Sequence, residues 1–271
     1  MDETFTYKRG YMKNKLFITM TLCFALIFAG CAKKDDNADT LSTILKRGKL
    51  IVGVKYDTKP FGYYNEKHEL VGFDIDLAKV IAKSILGSED KVEFVQVTPS
   101  SRILALNSHQ VDMVIATMTI TPEREQIIDF SLPYYIAGQA ILVPQNSKIT
   151  SLSDLNGKKV IIIFGSTAEN NLRLIAPEAN ILGFRTYTSG YSALKQGLAD
   201  AMMSDDTILM GFAQTDNSLK LLPKRYTKEP YAIGFNKGEE SARLEKRVDY
   251  IIKGMRQSGD LERLKDKWVK Y

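Results

Sequence analysis

Ala116-Thr-Met-Thr-Ile-Thr-Pro-Glu-Arg124 follows the apolar run Val111-Asp-Met-Val-Ile115. The run reads as a buried strand. Thr121 then caps a helix whose first residue is Pro122, because proline loses nothing where the N–H has no intrahelical partner. A strand ends, threonines alternate at 117, 119 and 121, and a helix N-terminus follows with its donors free. Such donors, reinforced by the positive end of the helix dipole, make an anion site. Arg124 lies in the first helical turn, where a cation is disfavoured unless it faces an anion held by the same turn. Two readings stay open for it: it binds a carboxylate ligand, or Glu123 and Glu125 neutralise it locally.

The chain has 271 residues, 44% hydrophobic and 25% charged, which suits a soluble globular protein of one large or two smaller domains. Its start is not part of that fold. Met12-Lys-Asn-Lys15 is basic, and Leu16 to Phe28 is apolar apart from two threonines. Phe28-Ala-Gly-Cys31 follows, so the pattern is that of a secretory signal, too short to span a bilayer. Cys31 directly after the small pair resembles a bacterial lipobox. That resemblance implies cleavage before Cys31, lipid modification of Cys31 and attachment to a membrane, in the periplasm or at the cell surface. Residues 1–30 are thus a leader, Met12 is the expected start, and 31–43 form a polar tether. Cys23 falls inside the signal, so the mature chain has no internal disulfide and relies on its core. Without the leader, 33 basic groups face 30 acidic ones and no basic block stands out, which argues against a nucleic-acid partner.

From Leu41 onward strands alternate with helices. Lys49 to Val54, Val92 to Val97 and Val111 to Ile115 read as strands, and Gly72 to Ile85 as a helix with Ile75, Ala78, Ile81 or Ala82, and Ile85 on one face. Asp74 and Asp76 suit its N-terminus and Gly87 its end. The theme recurs: Ala105-Leu106 precedes Asp112 by the spacing at which Ala193-Leu194 precedes Asp200, and Lys159 to Phe164 echoes Lys49 to Val54. Two α/β lobes of about a hundred residues each follow, with ligands beyond the strand carboxyl ends.

Gly72-Phe-Asp-Ile-Asp-Leu77, Thr119-Ile-Thr-Pro-Glu-Arg124, Phe130-Ser-Leu-Pro-Tyr-Tyr135, Gly165-Ser-Thr167 and Leu264-Lys-Asp-Lys-Trp268 together resemble the family-3 solute-binding proteins of bacterial polar amino-acid ABC transporters, in order and spacing, from about residue 41 onward. The resemblance implies a type II two-lobe clamshell of mostly parallel sheets flanked by helices. Lobe 1 would comprise 44–138 plus 232–271 and lobe 2 would comprise 139–231, with crossings near Ala137–Ala140 and Tyr231–Gly234. It implies a monomer that closes over an amino acid and delivers it to permease subunits, with no cofactor and no metal. By the same resemblance Arg124 holds the ligand α-carboxylate, and Thr117 and Thr119 add hydrogen bonds. Ser166 and Thr167 meet the carboxylate from lobe 2, and Asp205 takes the α-ammonium. The competing reading makes Asp205 a helix N-cap before Ile208-Leu-Met210, a role that Asp206 would serve equally well.

Lys55 at the end of the first strand and Arg102 after Thr98-Pro-Ser-Ser101 stand where the family places side-chain-reading residues. Two cations there favour glutamate or aspartate, with glutamine next, because a buried charge left uncompensated costs several kcal/mol. The competing reading pairs them with Asp57 or other local acids. Thr58 stands where the family's stacking aromatic is expected, which leaves Phe61 or Tyr56 to stack on the ligand. An enzyme on the same fold, a cyclohexadienyl dehydratase, would need an acid in the cleft, and Glu169 is the candidate. His68 and His109 stand alone, so clustered-histidine metal ligation is not indicated.

Overall fold

The computed structural model describes residues 39–270. The leader, the Cys31 lipidation site and most of the tether lie outside the described residues. The tether ends earlier than expected. Asp39 accepts from the Ser42 N–H at 2.7 Å, and this side-chain cap starts helix α1 (Thr40–Arg47), which Gly48 ends in the left-handed region.

Then come β1 (Leu50–Val54), β2 (Asp57–Thr58), β3 (Gly62–Tyr64), β4 (Leu70–Val71), α2 (Phe73–Leu86), β5 (Val92–Gln96), α3 (Arg102–Asn107), β6 (Met113–Thr119), α4 (Pro122–Glu125), β7 (Ile128–Phe130) and β8 (Tyr135–Ala137). A second series holds β9 (Gln139–Pro144), β10 (Lys159–Ile163), α5 (Ala168–Ile175), β11 (Asn180–Phe184), α6 (Tyr187–Lys195), β12 (Ala201–Asp205), α7 (Asp206–Ala213) and β13 (Leu219–Leu221). The chain returns through β14 (Glu229–Asn236) to α8 (Glu239–Gln257) and α9 (Asp260–Trp268).

Three sheets result: a small antiparallel one, β2-β3-β4, and two larger ones with helices packed on them. In the first of the larger two, β5-β1-β6 run parallel and β14 lies antiparallel beside β6, while β7 and β8 pair with β14. In the second, β11-β10-β12 run parallel and β9 lies antiparallel beside β12, followed by β13. The parallel part is thus a three-strand unit in each of these two. The antiparallel neighbours are the strands by which the chain arrives from the other sheet. The sequence repeat has a physical basis in this symmetry. Asp112 Oδ2 accepts the Ile51 N–H at 2.7 Å and Asp200 Oδ2 accepts the Lys159 N–H at 2.8 Å, so each aspartate closes the start of the equivalent strand.

Apolar periodicity explains the layers. Helix α2 turns Phe73, Ile75, Leu77, Ala78, Ile81 and Ala82 inward, and β6 is buried at every position. Helices α8 and α9 pack on the first sheet, and Trp268 donates to Asp76 at 2.8 Å. No helix among the described residues is long and apolar enough to cross a membrane.

The chain leaves the first sheet after Ala137 and enters the second at Gln139. Its return does not fall at Tyr231–Gly234. Those residues pair with β6, β7 and β8 in the first sheet, as do Glu229 and Pro230, so the crossing lies within 222–228. The apolar run from Tyr231 is buried because it is already inside a sheet. The two crossings touch at Gly138, where a Cβ would come within 2.6 Å of the Thr227 carbonyl oxygen. Gly138→Ala must force the crossings apart, and overpacking of this kind costs about 1–3 kcal/mol. A fall in melting temperature of roughly 2–10 °C is expected by differential scanning fluorimetry.

Candidate functional site

The cap expected at the end of β6 is present. Thr121 Oγ1 accepts the Arg124 N–H at 3.3 Å and Pro122 opens α4, which is a single turn. The turn delivers a buried Arg124. Its Nη1 donates to the Thr119 carbonyl at 2.7 Å and its Nη2 to the Gly165 carbonyl of the second sheet at 2.9 Å. Backbone oxygens hold the guanidinium, not Glu123 or Glu125, and the remaining N–H groups of the fork suit a carboxylate. Burial weakens its hold on the proton against the favourable fields of Asp205 and Glu229.

Arg102 reaches the same carbonyl. Its Nη2 lies 3.4 Å from Gly165 O, while Nη1 donates to Ala116 O at 2.8 Å and lies 3.4 Å from Thr117 O. Gly165 permits this approach: its φ is 79°, and a Cβ would come within 2.6 Å of the Pro99 oxygen. One glycine carbonyl of the second sheet is therefore the shared acceptor of two cations of the first.

Lys55 is fully buried. Its Nζ donates to Thr117 Oγ1 and sits 4.4 Å from the Tyr187 ring centroid. Burial, then the nearby Arg102, pull its pKa down, while Asp57, Asp205 and Asp74 oppose the shift. Asp57 does not pair with it directly. Its carboxylate crosses to the second sheet and accepts the N–H groups of Tyr187 at 2.9 Å and Thr188 at 3.3 Å, at the start of α6.

Asp205 stands at the N-cap position of α7 but makes no side-chain cap bond there. It accepts the Tyr231 hydroxyl at 2.6 Å, and burial followed by Glu229 raises its pKa to about 6. Thr167 is held from two sides: it donates to Glu229 at 2.9 Å and accepts from Gln139 at 2.8 Å. Ser166 Oγ is buried without a hydrogen-bond partner among the described residues, as is Arg102 Nε. Thr119, Arg124, Ser166 and Thr167 line a cleft of about 800 Å³ between the sheets, and Lys55, Arg102 and Thr117 lie buried around the Gly165 contact.

Phe61 is not brought to this place. It is a core residue, with the rings of Phe73, Tyr135 and Tyr231 at 5.4–5.8 Å. Tyr56 donates to Phe94 O at 3.0 Å and packs edge-on to Tyr64, which turns it toward β5. The aromatic ring beside the buried cations is Tyr187, unmarked in the sequence because only the closed approach of α6 puts it there. Asp74, Gln139 and Glu229 also went unread as site residues. Asp74 looks like an ordinary first-turn acid, yet it is fully buried, accepts Thr117 N–H at 3.1 Å and Tyr134 OH at 2.9 Å, and is raised by burial to about 6.

The buried charges among the described residues are three cations and four acids, the fourth acid being Asp206, whose partner Arg225 is exposed. Asp206 pairs with Arg225 at 2.5 Å. The rest are three cations, Lys55, Arg102 and Arg124, and three acids, Asp74, Asp205 and Glu229. Glu169, at the cleft rim, is bridged to Arg173 at 3.0 Å.

This chain matches the family model described as bacterial extracellular solute-binding proteins, family 3, over residues 50–271. It is 42% identical over 270 residues to the ABC transporter glutamine-binding protein GlnH of Bacillus subtilis (strain 168), covering 96% of this chain and 98% of that one. It is 45% identical over 240 residues to the glutamine-binding protein of Geobacillus stearothermophilus, covering 81% and 92%. Among solved structures, the cysteine-binding protein from Campylobacter jejuni superposes with a TM-score of 0.82 at 33% identity, over 86% of this chain and 93% of that one. A fold of two larger sheets with their helices, a cation-lined cleft between them, and a family match from the first strand onward lead to one conclusion: the chain belongs to the bacterial extracellular solute-binding proteins, family 3.

Proposed function

We propose that this chain captures glutamine outside the cytoplasm and delivers it to the permease of an ABC importer. The observation that carries the choice of a neutral side chain is that the three buried cations are already matched by Asp74, Asp205 and Glu229, with a fourth buried acid, Asp206, paired to the exposed Arg225. A zwitterion with an amide side chain preserves that matching, whereas glutamate or aspartate adds a buried anion. The expected pull of Lys55 and Arg102 toward an acidic ligand weakens once their partners are counted. Lys55 serves Thr117 and Tyr187, and Arg102 serves three backbone carbonyls. The similarity to two proteins named for glutamine supports the same reading.

In this reading Arg124 grips the α-carboxylate through its free N–H groups, with Ser166 Oγ and Thr167 completing the shell from the second sheet. Asp205 takes the α-ammonium, and Thr117 and Thr119 supply further oxygens. Because these groups come from both sheets, ligand stabilises the closed form. A dehydratase role for Glu169 gains no support from its surroundings, since it sits at the cleft rim in an exposed pair with Arg173. The protein acts as a monomer. Lipidated Cys31 ties it to the membrane, and Cys31→Ala should move it from the detergent phase to the aqueous phase on cell fractionation.

A thermal-shift screen against the twenty amino acids tests the ligand. Glutamine at a thousand times its Kd adds about 4 kcal/mol, a rise of roughly 8–16 °C. A comparable rise with glutamate or aspartate and none with glutamine would restore the acidic reading. Silence toward every amino acid would remove the role altogether.

Asp205 sets a pH dependence. Its pKa of about 6 in the unliganded protein must fall when an ammonium docks, so binding requires ionised Asp205 and is lost as pH drops through 6. Calorimetry should show glutamine affinity falling by up to about ten-fold per pH unit below 6. Asp205→Asn should weaken binding at pH 7.5 and flatten this slope.

A further inference from the structure

We propose that Asp74, Lys55 and Arg102 are positioning residues, which together hold Thr117 in a left-handed bulge that aims the end of β6 at the cleft. The ladder between β6 and β14 locates the bulge. Met118 stands opposite Ala232 and Val114 opposite Gly234, so Ile115, Ala116 and Thr117 face Ile233 alone. Ile233 satisfies its backbone elsewhere. Its N–H donates to Ser131 Oγ and its carbonyl accepts the Ser131 N–H, both at 2.9 Å. At the bulge Thr117 has φ 44°, a conformation that β-branched residues rarely adopt and that persists only when the surroundings over-determine it.

The surroundings do so atom by atom. The peptide between Ala116 and Thr117 is gripped on opposite edges: its carbonyl accepts Arg102 Nη1 at 2.8 Å and its N–H donates to Asp74 Oδ2 at 3.1 Å. That fixes the plane. Lys55 Nζ donates to Thr117 Oγ1 and so fixes the side-chain branch on the Cα. The φ angle is the rotation between that plane and that branch, so three groups define it. They come from α2, from the loop after β1 and from α3, and each is at most 2% exposed. Tyr134 donates to the other Asp74 oxygen at 2.9 Å and holds the carboxylate in place. Burying three charges is costly in isolation, and their mutual proximity together with full use on one residue offsets that cost.

A double-mutant cycle on the purified protein tests this, with glutamine Kd by titration calorimetry and Tm without ligand as readouts. Asp74→Asn should weaken glutamine binding by about ten-fold or more in the parent, and by less than about three-fold in a Thr117→Gly background, where the left-handed conformation needs no support. A merely structural Asp74 would lower Tm in both backgrounds and leave Kd unchanged. Equal losses of affinity in the two backgrounds, or an Asp74→Asn protein that binds like the parent, overturn the proposal. Lys55→Met taken through the same cycle serves if Asp74→Asn does not fold. A direct ligand contact by Lys55 gives the same loss in either background, and a positioning role does not. The affinity readout rests on the glutamine reading. If the parent ignores glutamine, that reading fails by itself, and the cycle is scored on Tm, where the fall should be smaller in the Thr117→Gly background.

Discussion

The Gly165 carbonyl, shared by Arg102 and Arg124, is the contact on which the closed arrangement depends. It brings two buried guanidinium groups to one uncharged oxygen, which is tolerable only because acids lie close on every side. Asp74 answers Lys55 and Arg102, and Asp205 and Glu229 answer Arg124. Low local dielectric makes each of these interactions strong, and makes any imbalance expensive.

The hinge strands take part in this set. Gln139 opens β9 immediately after the first crossing and Glu229 opens β14 immediately after the second. Both hold Thr167, and Gln139 Oε1 also accepts from Asn171 at 3.0 Å. The start of α5 is thus tied to both crossings, so movement of the hinge and orientation of the cleft hydroxyls are mechanically linked.

Local signals in the sequence survived well. The Thr121-Pro122 cap and the inward face of α2 are set by neighbours within a turn, and residue order alone reports them, whereas the Asp112/Asp200 repeat was legible as a spacing but not as the strand-closing bonds it makes across 61 and 41 residues. Charge partners were less legible. Asp74 meets Thr117 across 43 residues, and Arg124 meets Gly165 across 41. A reader of spacing sees Lys55 and Arg102 as free cations because nothing nearby in the chain reveals the carbonyls and the ring that receive them. Phe61 misled for a related reason: an aromatic in a loop looks available, while its burial is decided by Tyr135 and Tyr231 from β8 and β14. The return crossing, placed near Tyr231–Gly234 by resemblance alone, comes a few residues earlier because Tyr231 to Gly234 already pair within the first sheet, where Met118 Cε would lie 2.3 Å from a Cβ on Gly234.

The start of α6 carries two caps, one from the adjoining Thr186 and one from Asp57 of β2, far away in the sequence. When the sheets part, Thr186 stays with the helix and continues to accept the Ser189 N–H, while water can replace Asp57 at Tyr187 and Thr188. The helix is therefore not left bare by opening, and separation removes a borrowed acceptor without unwinding what it served. A latch built this way releases without melting anything. The described residues include no cysteine, so packing alone restores the arrangement after such a release.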